Sequence, residues 1–539
     1  MKNHTMIPEI ITIPCDSDIA ELGNRPEGSV SEEELKTVLR RYNLRGGIIT
    51  LGKASIYIFN SGDPNNIGIA AHREQNTGII ISQFALAYLA NLLLISGAND
   101  HKSKYIHEKD NWLALCNIYN NSLTQPEHTE TYEITNEDKV RSLMIRLHFE
   151  QMEYQFLPIY MMARTFVIFN DLVKKILPGK FENLSLIFEM ETSLRINDYL
   201  LIATAVAAGS KRTATFSIPM FTKADIPQLK DVLIEEKINN FLNILKADYK
   251  SFKSEDVRFN ANLNPIFTKT RFNPLLVYPI IETDAKHRGD PFVVPNASAY
   301  VRKAFGGIYW LFHRYFEDKA QQQEFRNYFG YVFQEYVGVI LKGIYGEQNV
   351  HPELDYPKGK FVDWWVERGD KIYLFEAKAN QFALLSRQTG DKELIVKGEI
   401  KKIVDAIEQI FKRVEDIPKY YNEFSQFKNK KVFPCIVFMD MPFVSSSLYE
   451  SWIKDALENV ERDKHLNGLK DFHILLINIE ELELFDEMID KIELEDVFST
   501  LKNNSSEGFL SVVQKIKGSK LRNRFLDERF KDFWGLKFE

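Results

Sequence analysis

Cysteine is almost absent from the chain: Cys15, Cys116 and Cys435 are the only three in 539 residues. An odd number, so far apart, excludes a disulfide framework and a structural zinc cluster and leaves core or incidental thiols. An apolar run of membrane-spanning length is lacking too. The longest, residues 79–95, falls short of the roughly 20 residues a span needs, and Ser82, Gln83 and Asn91 interrupt it. It predicts a buried core helix, as does the shorter stretch 199–208, and no membrane association is expected. Nor is there an excess of basic charge. With 68 Lys and Arg against 75 Asp and Glu, the net charge is -7, so any nucleic-acid surface must be a local patch opposed by acidic surface elsewhere. Low-complexity tracts and fixed-period repeats are missing as well. The opening MKNHTMIPEI is too polar for a signal peptide, and a cytoplasmic protein is expected.

What the chain does have is apolar material. Hydrophobic residues at 45% and aromatics at 13% support two to four buried cores in this length. The texture divides it into a mainly helical region, 1–261, of no legible role, a connector, 262–295, and an α/β region, 296–539. In the first region Ser31 and Glu34 predict a helix start with a capping box. Residues 47–54, GIITLGKA, come close to a phosphate-binding loop, but Ala54 stands where Ser or Thr is required and strand-like residues 55–59 follow. A β-hairpin around 51–53 is the expectation there. Helical spacing marks 136–148 and 155–176, and 212–220 reads as a strand. The polar, Asn-rich 250–265 and the segment 284–295 read as loops. From Ala297 a helix rich in aromatics, among them Tyr309, Trp310 and Phe312, is expected to be core.

One stretch organises the rest: residues 360–379, KFVDWWVERGDKIYLFEAKA. Two strand-like runs, 361–366 and 372–375, flank Arg368-Gly369-Asp370-Lys371, and Gly-Asp between such runs signals a two-residue hairpin turn. Arg368 then faces Lys371, and counting back sets Asp363 opposite Glu376. Opposed residues share a face, with Cβ atoms roughly 4.5–5.5 Å apart, and Lys378, two residues on, joins Glu376 there. Two opposed carboxylates repel, so something positive is expected between them. Hard oxygen ligands of this kind suit Mg2+ or Mn2+, with water and substrate phosphate completing the shell. Lys378 beside such an ion could act on an activated water or on phosphate charge in the transition state.

Asp363 followed by Glu376-Ala377-Lys378 resembles the PD-(D/E)xK nuclease superfamily, the restriction-endonuclease-like fold. Val362 replaces the motif's proline. The resemblance implies an α/β domain with a mixed central sheet flanked by helices, catalytic Asp363, Glu376 and Lys378, and metal held by Asp363 and Glu376. It also implies a helix before the first core strand, for which 325–341 has apolar residues at helical spacing, with an acid reaching the metal. Gly330 and Phe333 match the pattern around that acid. Its place, however, is held by Gln334, and Glu335 comes one residue later, turned by roughly 100°. Both are carried as candidate accessory residues. Downstream, 397–417 is an amphipathic helix ended by Pro418, on which Gln409 resembles a glutamine some superfamily members carry near the substrate. Its Lys397, Lys401 and Lys402 are candidate nucleic-acid contacts set against a solvated polar face, the same face to which Lys412 and Arg413 are assigned. A strand at 432–439, a helix at 448–460 and a strand at 472–479 complete the expected order. The C-terminal mixture of Lys515, Lys517, Lys520, Arg522, Arg524, Arg529 and Lys531 with Phe525, Phe530, Phe533 and Trp534 reads either as a phosphate-backbone contact or as a helix with a solvated basic face.

The resemblance implies a metal-dependent nuclease, on DNA in preference to RNA, with bacterial restriction or phage defence as a setting. The 1–261 region would then sense, recruit or restrain, through a protein partner or self-association. Two rivals stand beside this reading. One is a catalytically silent nucleic-acid-binding scaffold, favoured by the missing acid at 334. The other is a protein-interaction platform built on the helical half, which finding Asp363 and Glu376 on opposite sheet faces would support.

Overall fold

The computed structural model describes residues 17–534 apart from 62–70, 74–78, 107–108, 129–136, 153, 155–157, 174–183, 225, 285–289, 317–318, 382, 441–445, 487–492 and 504–522. The N-terminal decapeptide, Cys15, Lys515, Lys517, Lys520 and Arg522 lie outside the described residues. The protein is mixed α/β, and packing groups it into two compact units. One takes Met1–Thr135, Glu150–Pro158 and Glu189–Ile308; the other takes Asn136–Phe149, Ile159–Phe188 and Tyr309–Glu539. Each unit is thus assembled from separated stretches of chain.

The first unit is mainly helical. Ser31 caps the helix Glu32–Leu39 with the expected capping box. The expected hairpin around 51–53 is instead one helix, Leu44–Ser61. Its glycines serve close approach and not a turn: a Cβ on Gly47 would stand 2.3 Å from Leu93, and one on Gly52 2.5 Å from the Val294 carbonyl oxygen. Packed beside it is the helix Gln83–Ile95, buried along nearly its whole length, as expected of the long apolar run. The polar residues within the run are paired in place: Gln83 Nε2 donates to the Ser55 carbonyl at 2.7 Å and Asn91 Nδ2 to Asp256 Oδ1 at 3.4 Å. Among the described residues no helix is long and apolar enough to cross a membrane.

Asp256 itself lies on a helix, Tyr249–Asn260, where a loop was expected. Asp248 caps it through the Ser251 N–H at 2.7 Å, and only Phe252 and Asp256 are buried, so the segment has no apolar stripe to read. The strand expected at 212–220 shrinks to Thr215–Phe216, which joins Phe292–Val293, Ile280–Glu282 and Lys246–Ala247 in a small four-stranded sheet. Leu275, Ile281 and Val293, from the stretch expected to be a connector, sit in this unit's core.

In the second unit, elements around the central sheet are numbered in chain order. Helix α1 spans Lys319–Tyr345, and strands β1 (Val350–Pro352), β2 (Trp364–Arg368) and β3 (Lys371–Gln381) follow. Next come α2 (Lys401–Asp416), β4 (Lys431–Asp440), α3 (Ser446–Lys464), β5 (Leu475–Asn478) and α4 (Ile479–Leu484). The strands lie side by side in the order β5-β4-β3-β2-β1. β1, β2 and β3 are joined antiparallel through short connections, whereas β3, β4 and β5 are parallel, with α2 and α3 as the crossovers such pairing requires. Every helix and strand expected between 325 and 479 is present. β5 is shorter than read.

The helices cover the sheet with the faces their sequences predict. On α1, Val332, Phe333, Tyr336, Val337, Ile340 and Leu341 are all buried. On α2 the buried set includes Ile403, Val404, Ile407, Ile410 and Phe411. Docking of α1 depends on Gly338, where a Cβ would fall 2.1 Å from the Trp364 ring, and Trp364 Nε1 donates to the Gln334 carbonyl at 2.8 Å. The aromatic helix from Ile308 to Tyr315 is core in part: Tyr309 and Phe312 are buried, with Phe312 packed on Phe169, Phe188 and Phe325, whereas Trp310, also expected in the core, is exposed. Arg164, on the helix Pro158–Phe166, forks onto Glu483 of α4 with two bonds of 2.7 Å, and Tyr336 of α1 donates to the same carboxylate at 2.7 Å. In the last helix, Arg524–Trp534, Arg524 pairs with Asp486, Arg529 pairs with Asp171 and Phe533 packs on Phe166. These two arginines are engaged within the protein.

Candidate active site on the central hairpin

The site grows from the turn. Arg368 pairs with Lys371, leaving Gly369 and Asp370 as a two-residue loop, and Gly369 takes a φ of 62°, in the left-handed region that favours glycine. The ladder runs back to Trp364 paired with Phe375 and ends there, so the expected ladder pair of Asp363 with Glu376 is not formed. Asp363 leaves the ladder there. Its Oδ2 accepts a hydrogen bond from the Ala377 N–H at 2.7 Å, which ties the carboxylate to the strand that carries Glu376. Alternation puts Ile372, Leu374, Glu376 and Lys378 on one face of β3 and Tyr373 and Phe375 on the other. Tyr373 stacks on Tyr345 of α1, while α2 lies over Glu376 and Lys378.

From α2 two side chains reach down, one helical turn apart. Lys378 Nζ donates to Glu376 Oε1 at 2.8 Å and to Gln409 Oε1 at 3.1 Å. Arg413 Nη1 donates to Glu376 Oε2 at 2.5 Å. Glu376, only 2% exposed, is thus gripped by two cations. Asp363 is less well compensated. Burial, and then the Glu376 charge, push its carboxyl up to about 7, against the smaller opposing pull of the Ala377 N–H and of Lys378 and Arg413.

The structure therefore brings together four of the residues read from the sequence: Asp363, Glu376, Lys378 and Gln409. Gln334 reaches the neighbourhood through its backbone, which holds Trp364. Glu335 is half-buried and its carboxyl is raised by burial, with Lys342 and Glu353 as its charged neighbours and not the hairpin carboxylates. Lys397 and Lys402 are ion-paired to Glu393 and Glu399, and Lys401 is exposed with no ionic partner among the described residues. Arg413 is the residue sequence reasoning missed, grouped there with a solvated face. Its signal was the spacing of four from Gln409, which places both on one side of the helix.

Whether the site suits a divalent cation is a question of donors. Among the described residues no group of three or more His, Cys, Asp or Glu converges as a metal cage. Asp363 and Glu376 offer two hard carboxylates, and Mg2+ is commonly bound by one or two carboxylates with its remaining positions left to water and substrate. The raised Asp363 carboxyl owes most to burial and then to Glu376, and it is the chemistry of two hard carboxylates that fits such an ion. Comparisons with known protein families, with curated proteins and with solved structures found no match. The functional reading accordingly rests on the chemistry of the site.

Proposed function

We propose that the sheet-bearing unit is a metal-dependent nuclease of PD-(D/E)xK type, hydrolysing phosphodiester bonds of nucleic acid, DNA in preference to RNA. The observation that supports this reading is the convergence of Asp363, Glu376 and Lys378 on one two-residue hairpin in the middle of a five-stranded sheet. Asp363 and Glu376 would hold Mg2+ or Mn2+, which when bound supplies an acidified water and charge stabilisation at the scissile phosphate. Lys378, steadied by Gln409, orients the attacking water or balances the charge that develops on the phosphate. Asp363 must give up its proton before it can act as a ligand. A cytoplasmic role in bacterial restriction or phage defence belongs to the same proposal.

The test is cleavage of labelled duplex DNA, single-stranded DNA and RNA with Mg2+, using the full chain and Lys378→Ala. Hydrolysis of at least one substrate is expected. At saturating substrate the variant should lose about a hundredfold to a thousandfold in single-turnover rate while still binding nucleic acid. A wild-type rate in the variant would make Lys378 a binding residue at most.

A second reading, a silent nucleic-acid-binding scaffold, draws on the closed ion pairs around Glu376 and on Gln334 standing where an acid was sought. Nucleic-acid binding with no hydrolysis in either Mg2+ or Mn2+ would put it ahead. The interaction-platform reading would be supported by carboxylates on opposite faces, and the closeness of the Glu376 charge to Asp363 does not favour it.

A further inference from the structure

Both oxygens of Glu376 are occupied: Lys378 holds Oε1 at 2.8 Å and Arg413 holds Oε2 at 2.5 Å. A divalent ion bound by Asp363 and Glu376 must therefore displace one of these cations or share a carboxylate with it. Lys378 has a second anchor in Gln409. Arg413 makes no second side-chain hydrogen bond among the described residues, although its side chain, 15% exposed against 24% for Lys378, is the more enclosed. Of the two, Arg413 is the one held by a single anchor. A buried carboxylate needs a compensating charge at all times, and an arginine that supplies it until a metal ion arrives meets that need.

Resting on the nuclease reading, we propose that Arg413 is a displaceable counter-ion, which yields Glu376 to the divalent cation and then pairs with a phosphate of the bound nucleic acid. The guanidinium suits the second task as well as the first. Its planar fork matches the oxygens of a phosphodiester as it matches a carboxylate, and it stays charged throughout. The loss of one charge contact is thereby replaced by another, and Arg413 would touch substrate only when the ion is in place.

Two measurements on the full chain test this, neither of them a measurement of cleavage. The first is calorimetric titration with Mn2+ in the absence of nucleic acid, for wild type and Arg413→Gln. Removing the competing charge should tighten Mn2+ binding about tenfold, the scale on which one close opposite charge acts on a carboxylate. The second is affinity for a short DNA duplex in Ca2+, which should weaken about tenfold in the same variant. The proposal requires both changes, and an Mn2+ affinity that is unchanged or weaker, or a duplex affinity that is unchanged, overturns it. Should Arg413→Gln lose its cooperative unfolding transition, Arg413→Lys carries the test: it keeps the charge and loses the fork, so Mn2+ affinity should hold while duplex affinity falls. An unchanged duplex affinity there overturns the proposal too. Mn2+ binding to wild type that Arg413→Gln leaves unaltered removes only the role of Arg413. Absence of Mn2+ binding in both proteins removes the metal site and the nuclease reading with it.

Discussion

In the proposed site Asp363 would serve two ends that oppose each other. To ligate a metal it would have to be ionised, yet burial and the Glu376 charge hold its carboxyl at about 7, well above 3.8. Ionisation therefore comes late as pH rises. Mg2+ affinity should climb about tenfold per pH unit below 7 and level off above it, which titrations between pH 5.5 and 8.5 would check. The folded-state value lies above the unfolded one, so Asp363 favours the fold while it is protonated. Its contribution falls as pH rises from about 4 to about 7. Asp363→Asn keeps an oxygen for the Ala377 N–H and removes the charge. Above pH 7 the metal-free variant should be more stable than wild type by at least about 1 kcal/mol in urea unfolding, and it should not cleave. An equal or lower stability would mean that the Asp363 charge costs the fold nothing. At this scale much of the site was legible, because a two-residue loop fixes register and register fixes which residues face each other. Arg413 was not, since it is 37 residues from Glu376. Only its spacing of four from Gln409 sets it apart from the lysines around it.

Glycines carry the lesson at the scale of elements. Gly369 was read as a turn and is one, with a positive φ. Gly52 was read in the same way, in an expected hairpin, but it lies with Gly47 inside a helix, where the absent Cβ admits a neighbour. The sequence signal is the same in both cases, and only the packing partner, far away in the chain, tells them apart. The helix Tyr249–Asn260 escaped for the opposite reason: with two buried residues it has almost no periodicity to detect. By contrast α2, with a full apolar stripe, was read nearly to its ends, and α1 was read over its apolar middle, 325–341, and missed at both ends. Two substitutions on α1 should move stability in opposite directions. Gly338→Ala puts a methyl 2.1 Å from Trp364 and should cost about 1–3 kcal/mol. Gly330→Ala meets nothing within 4 Å and should gain about 0.4–1 kcal/mol, from a stiffer unfolded chain and a better helix former. Urea midpoints that moved the same way in both would contradict the close docking of α1 on β2.

The sheet-bearing unit is not one continuous piece of sequence, and no local pattern announced that. The sequence reading placed a boundary at 296, whereas packing brings in Asn136–Phe149 and Ile159–Phe188. Phe169 stacks on Phe312 and Phe329, and Arg164 supplies the guanidinium for the buried Glu483. A fragment comprising 296–539 should accordingly fail to give a cooperative thermal transition, while the full chain gives one. Arg164→Met in the full chain leaves Glu483 buried without its partner and should cost about 3–5 kcal/mol, measured by urea unfolding. A fragment that folds alone would show these early segments to be dispensable. The same arrangement sets a schedule for synthesis. The stretch ending at Phe188 leaves the ribosome some 295 residues ahead of Glu483, a wait of roughly 15–60 s at ordinary elongation rates. Phe169 and Phe188 have no aromatic partner of the later chain to join until Phe312 is made, and Arg164 waits the whole interval for Glu483. The nascent chain thus carries apolar, aromatic side chains ahead of the residues that bury them, and the hairpin with its carboxylates is made before the unit around it can close.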